Sequence, residues 1–123
     1  TFIAMKVKVK LMDLNDQSIL FEGLADLERT DQGGRIFDLK SEAYQGKWKV
    51  LEYGCILEHT TENNIRIFLS EKGHSKAVVD TEFGRLEIPG SLLTYTQNDQ
   101  KIKVEYTLDG AESPFRFLLS VED

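Results

Sequence analysis

Few residues in this chain are of types that do chemistry, and their spacing narrows what they could do. Cys55 is the only cysteine and His59 and His74 are the only histidines. If CILEHTT is extended, Cys55, Leu57 and His59 fall on one face, so a thiol and an imidazole could share a metal with His74 as a third ligand. That spacing permits co-ligation without demanding it. The plain alternative is a buried thiol and two imidazoles at the surface or at a barrel end, and no metal or other cofactor is expected. A lone cysteine also excludes an internal disulfide and any multi-thiolate site within one chain.

Charged groups in an apolar register are more informative. In KWKVLEYG, Trp48 and Val50 share a face with Glu52, and in RIFDLKSEA, Arg35 shares one with Phe37 and Leu39. A charge facing a closed core is costly unless it is paired or wet. Such groups therefore sit near the end of a barrel, pair, or line a solvated cavity. The cavity reading gives a candidate ligand-binding set of Arg35, Trp48, Glu52, His59 and Tyr106. No residue is assigned as catalytic. The chain has no GxSxG elbow, HExxH, Walker loop, GxGxxG or paired CxxC, and an enzyme would have to be built from Glu52 with His59 or Arg35.

These side chains must be positioned by strands. IAMKVKVKL sets Ile3, Met5, Val7, Val9 and Leu11 against Ala4, Lys6, Lys8 and Lys10, and KIKVEYTL alternates Ile102, Val104, Tyr106 and Leu108 with polar residues. Between them, SILFEGLADLE, RIFDLKSEA, KWKVLEYG, CILEHTT, NIRIFLS, HSKAVVDTEF, GRLEIP and SLLTYTQ read as extended segments. Turns fall at DLNDQ, TDQGG, YQGK, ENN, EKG, NDQ and DGAESP. A bulge or bend is expected at Gly23, and PFRFLLSV closes the chain. In FGRLEIPGS, Gly84 permits a tight connection, Leu86 and Ile88 face the core, and Pro89 and Gly90 end or bend the strand.

Eight to ten short strands at this spacing predict an all-β fold, a single antiparallel up-and-down β-barrel over residues 1–123. First and last strands this apolar on one face favour closure, which pairs them. The aromatics Phe21, Phe37, Trp48, Phe68, Phe115 and Phe117 are expected in the core.

Charge and hydropathy bound the function. With 15 Lys and Arg against 21 Asp and Glu, the net charge is −6, which argues against nucleic acid and anionic membranes as partners. The lysine row at Lys6, Lys8 and Lys10 reads as a solvated strand face that discourages edge pairing. No apolar run reaches the length of a spanning helix, and a cytoplasmic protein is expected. The chain opens with Thr1, Met5 is a candidate natural start, and a preceding segment is left open.

The second half, from about Trp48 to Val121, is similar to the YwiB-like family of uncharacterised bacterial proteins. The resemblance rests on Gly54, Phe68, EKG ending at Gly73, DTEFGRLEIP with Thr81, Phe83, Gly84, Leu86 and Ile88, and the strand with Ile102, Val104, Tyr106 and Leu108. It implies a closed antiparallel barrel of the calycin, lipocalin-like type with no assigned activity. The chain departs from that pattern at Glu52 and Tyr53, where a basic residue before Gly54 would be expected, and at Ser91, where a threonine would be usual. A ligand site shared at the basic position is thereby put in question.

The resulting expectation is a non-catalytic binding module for a small apolar or amphipathic molecule held between the strands. The alternative is a protein–protein interaction or regulatory barrel with a side-chain-filled core and no ligand. A monomer and a homodimer are both open, the latter through strand pairing if an apolar strand is left exposed.

Overall fold

Alternation in the first strand is realised as written, with Val7, Val9 and Leu11 turned inward and Lys6, Lys8 and Lys10 outward. A computed structural model describes the chain from residue 3 to residue 122, with side chains from Met5 onward, so the expected placement of the Ile3 and Ala4 side chains lies outside the described residues. The strands are β1 (Ile3–Asp13), β2 (Ser18–Arg29), β3 (Arg35–Lys40), β4 (Gln45–Leu51), β5 (Gly54–Thr60), β6 (Asn64–Ser70), β7 (Ser75–Thr81), β8 (Gly84–Gln97), β9 (Lys101–Leu108) and β10 (Phe115–Glu122). Each pairs antiparallel with the next, and β1 pairs with β10, which closes an all-β up-and-down barrel. No described residue is helical, and no helix is long and apolar enough to cross a membrane.

Turn chemistry explains the connections. Asp13 Oδ1 accepts the Asn15 N–H and Asp16 Oδ1 accepts the Ser18 N–H, each at 2.9 Å, which lets Gln17 take a left-handed conformation with φ 62°. In TDQGG, Thr30 Oγ1 accepts the Gly34 N–H at 2.9 Å while Gly33 holds φ 84°. Three details differ from the sequence reading. The β3–β4 turn lies at Ser41–Tyr44 rather than YQGK, because the Ser41 hydroxyl accepts the Tyr44 N–H at 3.0 Å and the chain reverses there. That removes Ala43 from the strand face. The irregularity near Gly23 falls instead where Leu11 and Met12 oppose Phe21 and Ile19, although Gly23 does adopt φ 151°. β8 runs unbroken through Pro89, because that is where it exchanges partners: β7 pairs with Gly84 to Gly90 and β9 with Gly90 to Gln97.

Inside the ring, cross-strand rows form the core. One row runs Leu27, Phe37, Trp48, Leu57 and Ile67, and another joins Leu11 to Leu119 and Leu119 to Ile102. Phe37, Leu39, Ile102, Val104 and Leu119 are fully buried. Burial of this kind is the main stabilising term of the fold.

On the outer face, carboxylates are held by arginines. Glu105 pairs across β9 and β10 with Arg116, and Asp80 Oδ1 accepts from Arg85 Nε at 2.7 Å. The hydrogen bond from Arg116 holds the Glu105 carboxyl below its ordinary value, and that from Arg85 does the same for Asp80. A carboxyl depressed in the folded state contributes stability that is complete above its unfolded value, about 4, and that is lost as pH falls through the lower folded value. The melting temperature should therefore fall from about pH 4 downward, and Arg116→Met should flatten part of that fall. A melt profile in which the variant and the native chain lose stability in parallel would show that the pair contributes nothing to the acid limb.

Candidate functional site

Arg35 opens β3 with its side chain inside the ring, because the residues after it, Phe37 and Leu39, must face the core. It is 5% exposed and sits at one end of the barrel. Its Nη1 donates to the Asn98 carbonyl at 3.0 Å and its Nη2 to Gln97 Oε1 at 2.6 Å, from the last residue of β8 and the first of the connection to β9, which cap this end. The guanidinium also lies 5.8 Å from the centroid of the Phe37 ring. Burial lowers its pKa, and the nearby Arg29 adds to that, while Asp99 opposes it. Neutral oxygens thus satisfy the buried cation.

The same cap reaches β4. Tyr95 OH donates to the Leu51 carbonyl at 2.6 Å and Gln97 Nε2 donates to the same oxygen at 3.1 Å. Burial raises the Tyr95 phenol well above its ordinary value, so it remains a donor.

Trp48 and Tyr106 are buried in the core, and Tyr106 stacks on Phe115 with centroids 5.1 Å apart. His59 occupies the inner register of β5, half-buried, with its ring stacked on Tyr44 at 4.6 Å. Glu52 is elsewhere. β4 ends at Leu51, Glu52 and Tyr53 form the turn into β5, and the glutamate is exposed outside the ring. Arg35, Trp48, His59 and Tyr106 thus all face the interior, but Arg35 in the Val50–Cys55 row and His59 opposite Gly46 lie towards opposite ends of the barrel, and Glu52 is outside it. Cys55 is buried, and burial pushes its thiol up to about 12, which leaves it protonated and weakly nucleophilic at neutral pH. Among the described residues, no group of three or more His, Cys, Asp or Glu could hold a metal ion.

With the interior occupied by side chains, the open concavity is on the outside. A furrow of about 780 Å³ crosses the outer face from β3 to β6. Ile36, Leu51, Ile56 and Phe68 line it with Lys49 among them, and Asp31, Glu52, Tyr53 and His74 complete the lining. A second concavity of about 440 Å³ continues from Ile36, Lys49 and Ile56 towards Asp38, Lys47 and Glu58. Register explains why the lining is continuous. Ile36 opposes Lys49, Lys49 opposes Ile56, and Ile56 opposes Phe68, so one cross-strand row carries three apolar side chains and one ammonium. Lys49 makes no ion pair among the described residues. Lys72 Nζ lies 3.6 Å above the Tyr53 ring.

Sequence reasoning missed this face. Phe68, expected in the core, is half-buried on the outside. A signal was present: RIFDLK, CILEHT and NIRIFLS each carry two or three adjacent apolar residues where a strand with one wet side would alternate.

No protein-family model matches the chain, and no curated protein matches it significantly. Among solved structures, the ywiB protein from Bacillus subtilis is similar over 99% of this chain and 91% of its own, with a TM-score of 0.63 and 17% identity. At that identity the likeness is one of fold: a small β-rich chain built as this one is, from the first strand to the last.

Proposed function

We propose that the protein is a non-catalytic binding module that holds a small amphipathic molecule in the outer furrow of β3–β6. The observation that carries this reading is the combination of apolar Ile36, Leu51, Ile56 and Phe68 with the ammonium of Lys49, which makes no ion pair among the described residues, in a concavity of about 780 Å³. That volume is typical of small-molecule sites, which are mostly apolar with a few placed polar groups. An apolar body would lie along the row, and an anionic group would meet Lys49. Arg35, Gln97 and Tyr95 act from beneath, fixing the Leu51 backbone that forms part of the lining. A ligand held between the strands, against Trp48, Tyr106 and His59, would have to displace closed core side chains, so the furrow is favoured over the interior. Membership of the YwiB-like group and of the calycins belongs to the same reading and draws on the likeness of fold, and the cytoplasmic setting proposed with it draws on the single cysteine.

The test is a titration of isotopically labelled protein with sodium decanoate, followed by amide and methyl shifts. Saturable shifts should concentrate at Ile36, Lys49, Ile56 and Phe68, and Lys49→Glu should weaken binding at least tenfold. No saturable shift up to about 5 mM, above the range in which weak specific sites saturate, would overturn the proposal, as would shifts confined to interior methyl groups.

A further inference from the structure

The tip of the β7–β8 hairpin extends past the end of the β8–β9 pairing, and its β8 edge has no partner strand among the described residues. β8 pairs with β7 from Gly84 to Gly90, whereas its pairing with β9 begins only at Gly90. Among the described residues, 84–88 therefore have a strand on one side and none on the other. Phe83, at the hairpin tip, is 91% exposed, and Leu86, which the inward register predicts to be buried, is 57% exposed.

Alternation of the backbone fixes what this edge offers. The Pro89 carbonyl accepts the Asp109 N–H at 2.8 Å on the side away from β7, so the odd-numbered residues of this segment direct their N–H and C=O groups outward from the sheet. Arg85 and Glu87 thus present two donors and two acceptors at the open edge. Their side chains lie on the outer face, where Arg85 pairs with Asp80 at 2.7 Å and Glu87 with Lys76 at 3.0 Å.

We propose that this edge pairs with the same edge of a second copy of the chain, antiparallel about a two-fold axis through Leu86. In that register Arg85 of each copy faces Glu87 of the other, and the two exchange both backbone bonds, about four bonds in all. The charge row then alternates across the junction, from Lys76 and Glu87 of one copy to Arg85 and Asp80 of the other. Moving the axis by one residue, which slips the register by two, would bring Arg85 against Arg85 or Glu87 against Glu87, so the charges select the register. The two Leu86 side chains meet at the axis with Cα atoms about 4.5 Å apart, and the exposed apolar surface is covered. Ile88 is placed opposite Gly84, whose missing side chain leaves it room. Pro89 ends the docking edge, having no N–H to offer and its carbonyl already used.

Sedimentation equilibrium on the full chain, up to about 1 mM, tests this. The native chain should show a reversible dimer. R85E leaves two carboxylates at the edge and E87R leaves two cations, so each alone should weaken the dimer about tenfold or more. An equimolar mixture of the two variants should recover association as a heterodimer. L86C should cross-link chain to chain on mild oxidation, because the Cα separation at the axis lies within disulfide reach. Circular dichroism of each variant verifies that the barrel remains folded. A native chain that stays monomeric, a dimer indifferent to R85E and E87R, or a mixture that fails to recover would each overturn the proposal.

Discussion

Trp48→Ala should lower the free energy of unfolding by about 4 kcal/mol, the range found when a large buried aromatic is truncated. Trp48 is 2% exposed and lies directly between Phe37 on β3 and Leu57 on β5. The neighbours belong to strands locked on both sides by hydrogen bonds, so the wall of the void can relax only partly, and a cavity term adds to the lost transfer energy. Urea denaturation followed by circular dichroism is the suitable measurement, since Trp48 is the only tryptophan and fluorescence would lose its reporter. The midpoint should fall with the slope unchanged. A loss below about 1.5 kcal/mol would mean that the interior is loosely filled, and would reopen the barrel lumen as the place for a ligand.

Gly54→Ala should cost about 3 kcal/mol, at the upper end of overpacking effects, although it adds a single methyl group. A Cβ at Gly54 would stand 2.1 Å from the Leu69 carbonyl oxygen, far inside van der Waals contact. That oxygen is backbone of β6, in register with Cys55 on β5, so no flexible side chain can yield and the β5–β6 ladder itself must open. Gly73→Ala makes the control, because a Cβ there meets nothing nearer than Ser70 Oγ at 3.6 Å. Its effect should stay within about 0.5 kcal/mol, the usual range for surface substitutions. Equal losses for the two variants, measured by the same denaturation, would remove the steric account of Gly54.

Much of the fold was legible in the sequence, and the reason is that strands such as β1 and β9 have one wet side. Lys6, Lys8 and Lys10 declare the outside of β1, and Ile102, Val104 and Tyr106 declare the inside of β9. The closing strand needed only its register. Arg35 was legible in part: an arginine among core residues marks a barrel end, but its partners Gln97 and Asn98 lie at and just beyond the end of β8, more than sixty residues away, a pairing that local pattern does not encode. Glu52 misled because periodicity continues on paper past the point where hydrogen bonding to the partner strand stops. Pro89 misled in the opposite sense. A proline normally interrupts a ladder, and here it stands where the ladder changes from one neighbour to another, so the missing N–H leaves no bond broken. The outer furrow was the largest omission, since Ile36, Ile56 and Phe68 come from three strands and become one surface only when register aligns them.

Ring closure has a consequence for how the chain reaches this state. Every pairing in the sheet joins strands adjacent in sequence except β1 with β10. The hairpins can form within microseconds, but the last seam must bring together Leu11 and Leu119, at an entropic cost of roughly 4 kcal/mol for a loop of that length. Until the seam forms, the meander is an open sheet with two long, one-sidedly apolar margins. The time spent in that condition, rather than the stability of the finished barrel, sets how far the chain tolerates crowding by unfinished copies of itself.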